Sequence, residues 1–232
     1  MAGLITHMVI AREMIKRLPK ESIREEGLFY LGNLAPDAVH AREGYIRAYK
    51  KHTHFRDDIP DMEFEREEHQ VVYRKRLEEF AVKNRERGDG LEDLYLGYVT
   101  HILTDELFIV TVRKEFCKVM EQMGISQDDH RFFEYIVRDM TRNDLLLVKY
   151  YEEMEIIRRC MEQVGIYQIE GLLSSQELKN SKEWLVSYHF TEEHEFLDPV
   201  YISYGRTLEF IQEAARTITD KLTGKDSPLR ML

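Results

Sequence analysis

Apolar residues recur every three or four positions along most of the chain, and strict apolar–polar alternation is almost absent. That period predicts helices and no sheet, an all-α chain. The stretch 4–18 carries it and stops at Pro19. Ser22, with Glu25 three residues on, is a capping-box signal for a second helix running to about residue 31. Gly32, Asn33 and Pro36 in "GNLAPDAVHAREG" then break the period, so Asp37 and His40 are expected on a turn or just past one. "KKHTHFRDDIPD" is a second irregular stretch, stopped by Pro60. Residues 63–87 read as helix until Gly88 and Gly90, and 91–123 as one long helix or two joined ones. Ser126 caps a helix over about 128–151, and further segments follow over 151–164, 175–186 and 200–222.

Composition narrows the class. A chain of 232 residues with 43% hydrophobic content can bury one substantial core, so residues 1–232 are expected to form a single compact multi-helix bundle. Five prolines and no polar low-complexity tract leave no flexible linker. The formal charge of -10 argues against a stable nucleic-acid complex, which needs clustered lysine and arginine. The apolar start is interrupted by His7, Arg12 and Glu13, too early for a signal sequence or a transmembrane segment. Two widely separated cysteines, Cys117 and Cys160, fit reduced thiols in a core. A cytoplasmic protein is the expectation.

The chemistry begins at "GYVTHILTDELF", residues 97–108. His101 and Asp105, four apart, project from one side of a helix, in the sector of Leu94, Gly97, Tyr98, Phe108 and Val112. An ionised carboxylate there is costly unless a metal or a cationic group accepts it. Gly97 leaves room one turn away. His7 shares its helix face with Leu4, Ala11, Met14 and Leu18, so two helices aim ligand-type atoms inward. Asp37 and His54, on neighbouring irregular stretches, are natural further donors to a divalent ion. A buried His–Asp hydrogen bond tying two helices together is the alternative.

"LGNLAPD" at 31–37, "HTHF" at 52–55 and "GYVTHILTDELF", following an early helix with His7, together resemble the zinc-dependent phospholipase C family. The resemblance covers about residues 4–110 and leaves 111–232 unrecognised. It implies a compact all-α bundle in which Asp37, His54, His101 and Asp105 bind zinc. It also implies that His7 binds a neighbouring zinc that shares Asp105. His52 is the other histidine of its motif, but Phe55 makes His54 the better match. His40, His69 and His130 are expected at the surface or in support, and the acids of "FRDDIPDMEFEREEH" in solvent.

The chain departs from the family in two ways. Secreted members begin, after processing, at a tryptophan whose amino group and carbonyl complete one site, whereas this sequence reads Met-Ala and has its only tryptophan at 184. "ELFIVTVRKEF" lacks the histidine that leads to the family's third metal site. His189 and Glu193 have HxxxE spacing and are candidates to replace it; an exposed polar loop is the other reading.

Two divalent ions bridged by one carboxylate suit attack of metal-activated water on a phosphodiester. The expected activity is therefore a metal-dependent phosphoester hydrolase, with Asp37 both ligand and catalytic carboxylate. Zinc is the expected cofactor, with manganese or iron open. The substrate is a small-molecule or lipid phosphoester; single-strand nucleases belong to the same superfamily. The absence of an adjacent His-Asp dipeptide counts against the other helical phosphohydrolase type. A degenerate member with one structural or regulatory metal, acting as a binding or interaction protein, is the alternative.

Overall fold

The helical period is realised along the chain. The computed structural model describes residues 2–232, apart from the side chain of Met62, and among these residues there are ten α-helices, two 3₁₀ helices and no sheet. The helices are α1 (Leu4–Arg17), α2 (Glu26–Leu34), α3 (Arg47–Thr53), α4 (Glu67–Asn84) and α5 (Glu92–Val110). Then come α6 (Val112–Gln122), α7 (His130–Tyr150), α8 (Met154–Gln163), α9 (Ser175–Phe190) and α10 (Tyr204–Thr223). The 3₁₀ helices are Ala35–Ala41 and Asp61–Glu63. Buried side chains from Ala2 to Leu222 form one contiguous apolar cluster, against which the half-buried Cys117 and Cys160 pack as free thiols. Among the described residues no helix is long and apolar enough to cross a membrane.

α5 is the axis of this arrangement. Every residue from 93 to 105 is buried, so the helix is enclosed all round rather than on the single face that its spacing suggests. α2 packs on it most extensively, with α4, α10, α1 and the first 3₁₀ helix around the rest. The α2–α5 contact is made backbone to backbone. A Cβ on Gly32 would lie 2.0 Å from the Leu94 carbonyl oxygen, and one on Gly97 2.1 Å from that of Phe29. Gly32 therefore does not break the period, contrary to expectation: α2 runs through it to Leu34. Pro36 then enters the first turn of a 3₁₀ helix, where a missing N–H costs little. Asp37 and His40 thus sit on a 3₁₀ helix, not on a turn.

Helix starts also differ from the local signals. Ser22 and Glu25 form no capping box; instead Asp93 of α5 accepts the Arg24 and Glu25 N–H groups at 2.9 and 2.8 Å. Asp129, not Ser126, caps α7. α1 is capped from α7, where Asp144 accepts the Ile5 and Thr6 N–H groups at 3.0 Å and the Thr6 hydroxyl at 2.8 Å. The 91–123 stretch is two helices, separated at Thr111, whose φ of -117 and ψ of -92 are not helical. α3 runs four residues into the stretch 50–61 expected to be irregular, and α9 extends four residues past 186 to Phe190. α10 starts at Tyr204 because the preceding backbone is claimed by Asp139, which accepts the Val200, Tyr201 and Ile202 N–H groups.

Candidate metal centre

Four segments deliver the candidate ligands to one buried place. α1 brings His7, the 3₁₀ helix Asp37, the end of α3 His54, and α5 both His101 and Asp105; all five are buried. The close α2–α5 approach matters here, because it sets the Asn33 carbonyl 2.7 Å from His101 Nδ1. A carbonyl only accepts, so Nδ1 carries the proton and Nε2 is left with its lone pair. His54 is fixed in the same way: its Nδ1 donates to the Lys50 carbonyl at 2.9 Å. The Tyr98 hydroxyl of α5 holds the Thr53 carbonyl at 2.5 Å, anchoring the turn that carries His54. Past it the chain enters the left-handed region at Phe55, with φ at 57, a cost of about 1 kcal/mol that ring packing against Phe80 and Tyr98 offsets.

The nitrogens face the carboxylates. Asp105 presents Oδ1 to His7 Nε2 at 3.3 Å and Oδ2 to His54 Nε2 at 3.5 Å and His101 Nε2 at 3.8 Å. Asp37 Oδ1 lies 3.4 Å from His54 Nε2 and 4.0 Å from His101 Nε2. Nε2 of all three histidines is buried and lacks a hydrogen-bond partner. Neither ring nitrogen of His7 has a hydrogen-bond partner among the described residues. For His54 and His101, whose protons sit on Nδ1, a lone pair facing a carboxylate oxygen is repulsive unless a cation lies between them. The shorter separations suit one, since ligand atoms about 2.1 Å from a tetrahedral ion stand about 3.4 Å apart. The His7 and His101 rings stack at 3.9 Å, 3° from parallel.

Two residue groups among those described could hold an ion: His7, His101 and Asp105, and Asp37, His54 and His101. His101 belongs to both, but one nitrogen lone pair serves one ion. Asp105 turns Oδ1 toward His7 and Oδ2 toward His54 and His101. The Ala2 N–H also reaches Asp105 Oδ1, at 3.0 Å. Electrostatics favour the ligating forms. Burial alone would raise the Asp37 and Asp105 pKa values, but the Lys50 ammonium holds Asp37 well below the usual carboxylate range, and Asp105 is held low as well. Burial, reinforced by His7, drives His101 well below the ordinary histidine value.

Asp37 also borders a cavity of about 630 Å³, which α9 lines with Trp184, Tyr188 and His189. His189 is buried with Nδ1 unpartnered, and burial lowers its pKa to about 4. Glu193 is exposed and lies beyond the end of α9, so the HxxxE spacing does not put the pair on one helical face. Neither joins the two groups above. His52 is exposed and pairs with Asp57, which leaves His54 as the inward histidine of its motif. His130 is exposed and His69 half-buried against Glu63; His40 is exposed at the cavity rim. The chain has no match among protein-family models, curated proteins or solved structures.

Sequence reasoning missed Lys50. Its side chain is buried, with Nζ 2.5 Å from Asp37 Oδ1, and it lines the cavity. Lys50 and His54 stand four apart, a helical spacing visible in "KKHTHF".

Proposed function

We infer that this protein is a metal-dependent phosphoester hydrolase, a phosphodiesterase of the zinc-dependent phospholipase C type. The reading rests on one observation: three buried, unpartnered Nε2 atoms converge on two carboxylates at the spacing of a coordination shell. A divalent ion held there supplies Lewis acidity, a lowered pKa for water and neutralisation of phosphoryl charge. Zinc suits the mixed nitrogen and oxygen donors, as manganese or iron would. The chain itself does the rest. The Asn33 and Lys50 carbonyls keep His101 and His54 in the tautomer that presents Nε2. Asp105 spans the two ligand sets. Asp37 borders the cavity, so its carboxylate can ligate and also orient a water for in-line attack. The cavity admits a small-molecule ester or the head of a lipid phosphoester.

Metal counting and a substrate screen test this reading. Protein purified without added metal should hold two ions by elemental analysis, the one beside His7 exchanging faster because fewer described side chains hold it. Bis(p-nitrophenyl) phosphate, p-nitrophenylphosphorylcholine and single-stranded DNA cover the three substrate classes, and at least one should be cleaved. Inactivity of metal-replete protein on all three would favour the second reading, a binding protein with one structural ion. That reading has its own support: Asp37, His54, His101 and Asp105 already supply the four ligands of a closed site.

A further inference from the structure

Lys50 is the one lysine or arginine among the described residues lining the cavity. Lysine is rarely buried without a partner, and here Asp37 Oδ1 is that partner. The same oxygen is the one turned toward His54 and His101 Nε2. In a metal-loaded centre the ammonium and the ion therefore compete for a single carboxylate oxygen.

Charge decides the outcome. Among the described side chains of the centre, Asp37 and Asp105 bring two negative charges and Lys50 one positive, while ligating imidazoles are neutral. One divalent ion makes the centre net positive by one, and two ions make it net positive by three. The cavity wall does not correct this. Its remaining carboxylate, Asp144, is engaged by the Ile5 and Thr6 N–H groups and the Thr6 hydroxyl, while burial keeps His189 toward the neutral form. A buried positive excess of this kind calls for an anion from solution.

Resting on the hydrolase reading above, we propose that Lys50 is the anion-binding side chain of the centre. With the site loaded, its ammonium pairs a non-bridging oxygen of the substrate's phosphoryl group. The organic part of the ester lies along Trp184 and Tyr188, whose rings stack 5.2 Å apart and line the same cavity. The fixed ammonium thus does the work of a third cation, in a chain whose HxxxE pair is held apart.

Inorganic phosphate is the probe. Zinc-loaded wild type, Lys50→Met and Lys50→Arg are titrated with phosphate by calorimetry, and zinc is counted on the same samples. Lys50→Met should keep the wild-type zinc count and bind phosphate at least tenfold more weakly, with Lys50→Arg recovering most of the loss. Wild-type phosphate affinity in zinc-replete Lys50→Met overturns the proposal and leaves the hydrolase reading intact. Loss of zinc from folded Lys50→Met also overturns it, since Lys50 would then only hold Asp37 in place. A wild-type chain that takes up no zinc removes the metal reading, and this proposal with it. If Lys50→Met fails to fold by circular dichroism, Lys50→Gln takes its place under the same criteria.

Discussion

At the scale of single residues, the Nδ1 proton of His101 decides what the imidazole can do. Given to the Asn33 carbonyl, it leaves Nε2 to face Asp37 and Asp105 without a proton to share. His101→Ala and Asp105→Ala should each lose bound zinc, with an affinity drop of more than roughly 100-fold, and any phosphodiesterase activity. His52→Ala, at the exposed pair with Asp57, should keep both. Elemental analysis of the three purified variants checks this, and full metal content in either of the first two would sink the assignment. His7, Asp37, His54, His101 and Asp105 were legible in the sequence because helical spacing and short motifs mark polar residues that point inward. Lys50 was not, since two adjacent lysines read as a solvated face and only the packed fold encloses one of them. His189 was half legible. Its spacing to Glu193 suggested a pair, but α9 ends between them and leaves the histidine alone at the cavity wall.

At the scale of elements, the α2–α5 contact couples packing to chemistry. Gly97→Ala would drive a methyl group into the Phe29 carbonyl and force the helices apart, moving the Asn33 carbonyl away from His101. The expected result is a loss of about 1–3 kcal/mol in urea unfolding together with weaker zinc binding. Lost stability with unchanged zinc affinity would separate the two roles and refute the coupling. The glycines were visible in the sequence, but their reason was not. A glycine required by close approach and one required by a positive φ look alike until the neighbouring helix is known. Caps show the same limit. Asp93 and Asp144 serve helix starts 68 to 69 and 138 to 139 positions away, whereas a capping box is read over three residues. Asp93→Ala should cost about 1 kcal/mol by loosening the start of α2, a change readable in the same denaturation assay. Unchanged stability would mean that water satisfies the Arg24 and Glu25 N–H groups equally well.

For the whole molecule, the apolar period was enough to give the all-α class. The partners of each helix were not legible, because the second half of the chain meets the first only in space: α7 caps α1 and α9 walls the cavity beside Asp37. Residues 7 to 105 deliver ligands from four segments, so an ion bound there ties those segments together and must stabilise the native state. With free zinc about 100-fold above its Kd, the linkage amounts to about 2.7 kcal/mol. Its pH dependence follows from the shifts. Asp37, Asp105 and His101 all have native pKa values below their unfolded ones. Their contributions are therefore full above the unfolded values, about 6.5 for histidine and about 3.9 for aspartate, and are lost as pH falls through the native ones. His189, lowered to about 4, acts in the same direction between about 6.5 and that value. Asp144, raised to about 6, acts in the opposite one, because the native state takes up its proton first as pH falls. Metal-free protein should accordingly lose stability from pH 7 to pH 5 through the two histidines, with Asp144 offsetting part of the loss. The zinc increment should shrink over the same range, since protons compete for the ligating nitrogens. Urea midpoints at both pH values, with zinc and after chelation, measure each term, and His101→Ala should abolish the increment. Equal midpoints with and without zinc at pH 7, or a larger zinc effect at pH 5, would mean that these five side chains do not hold an ion.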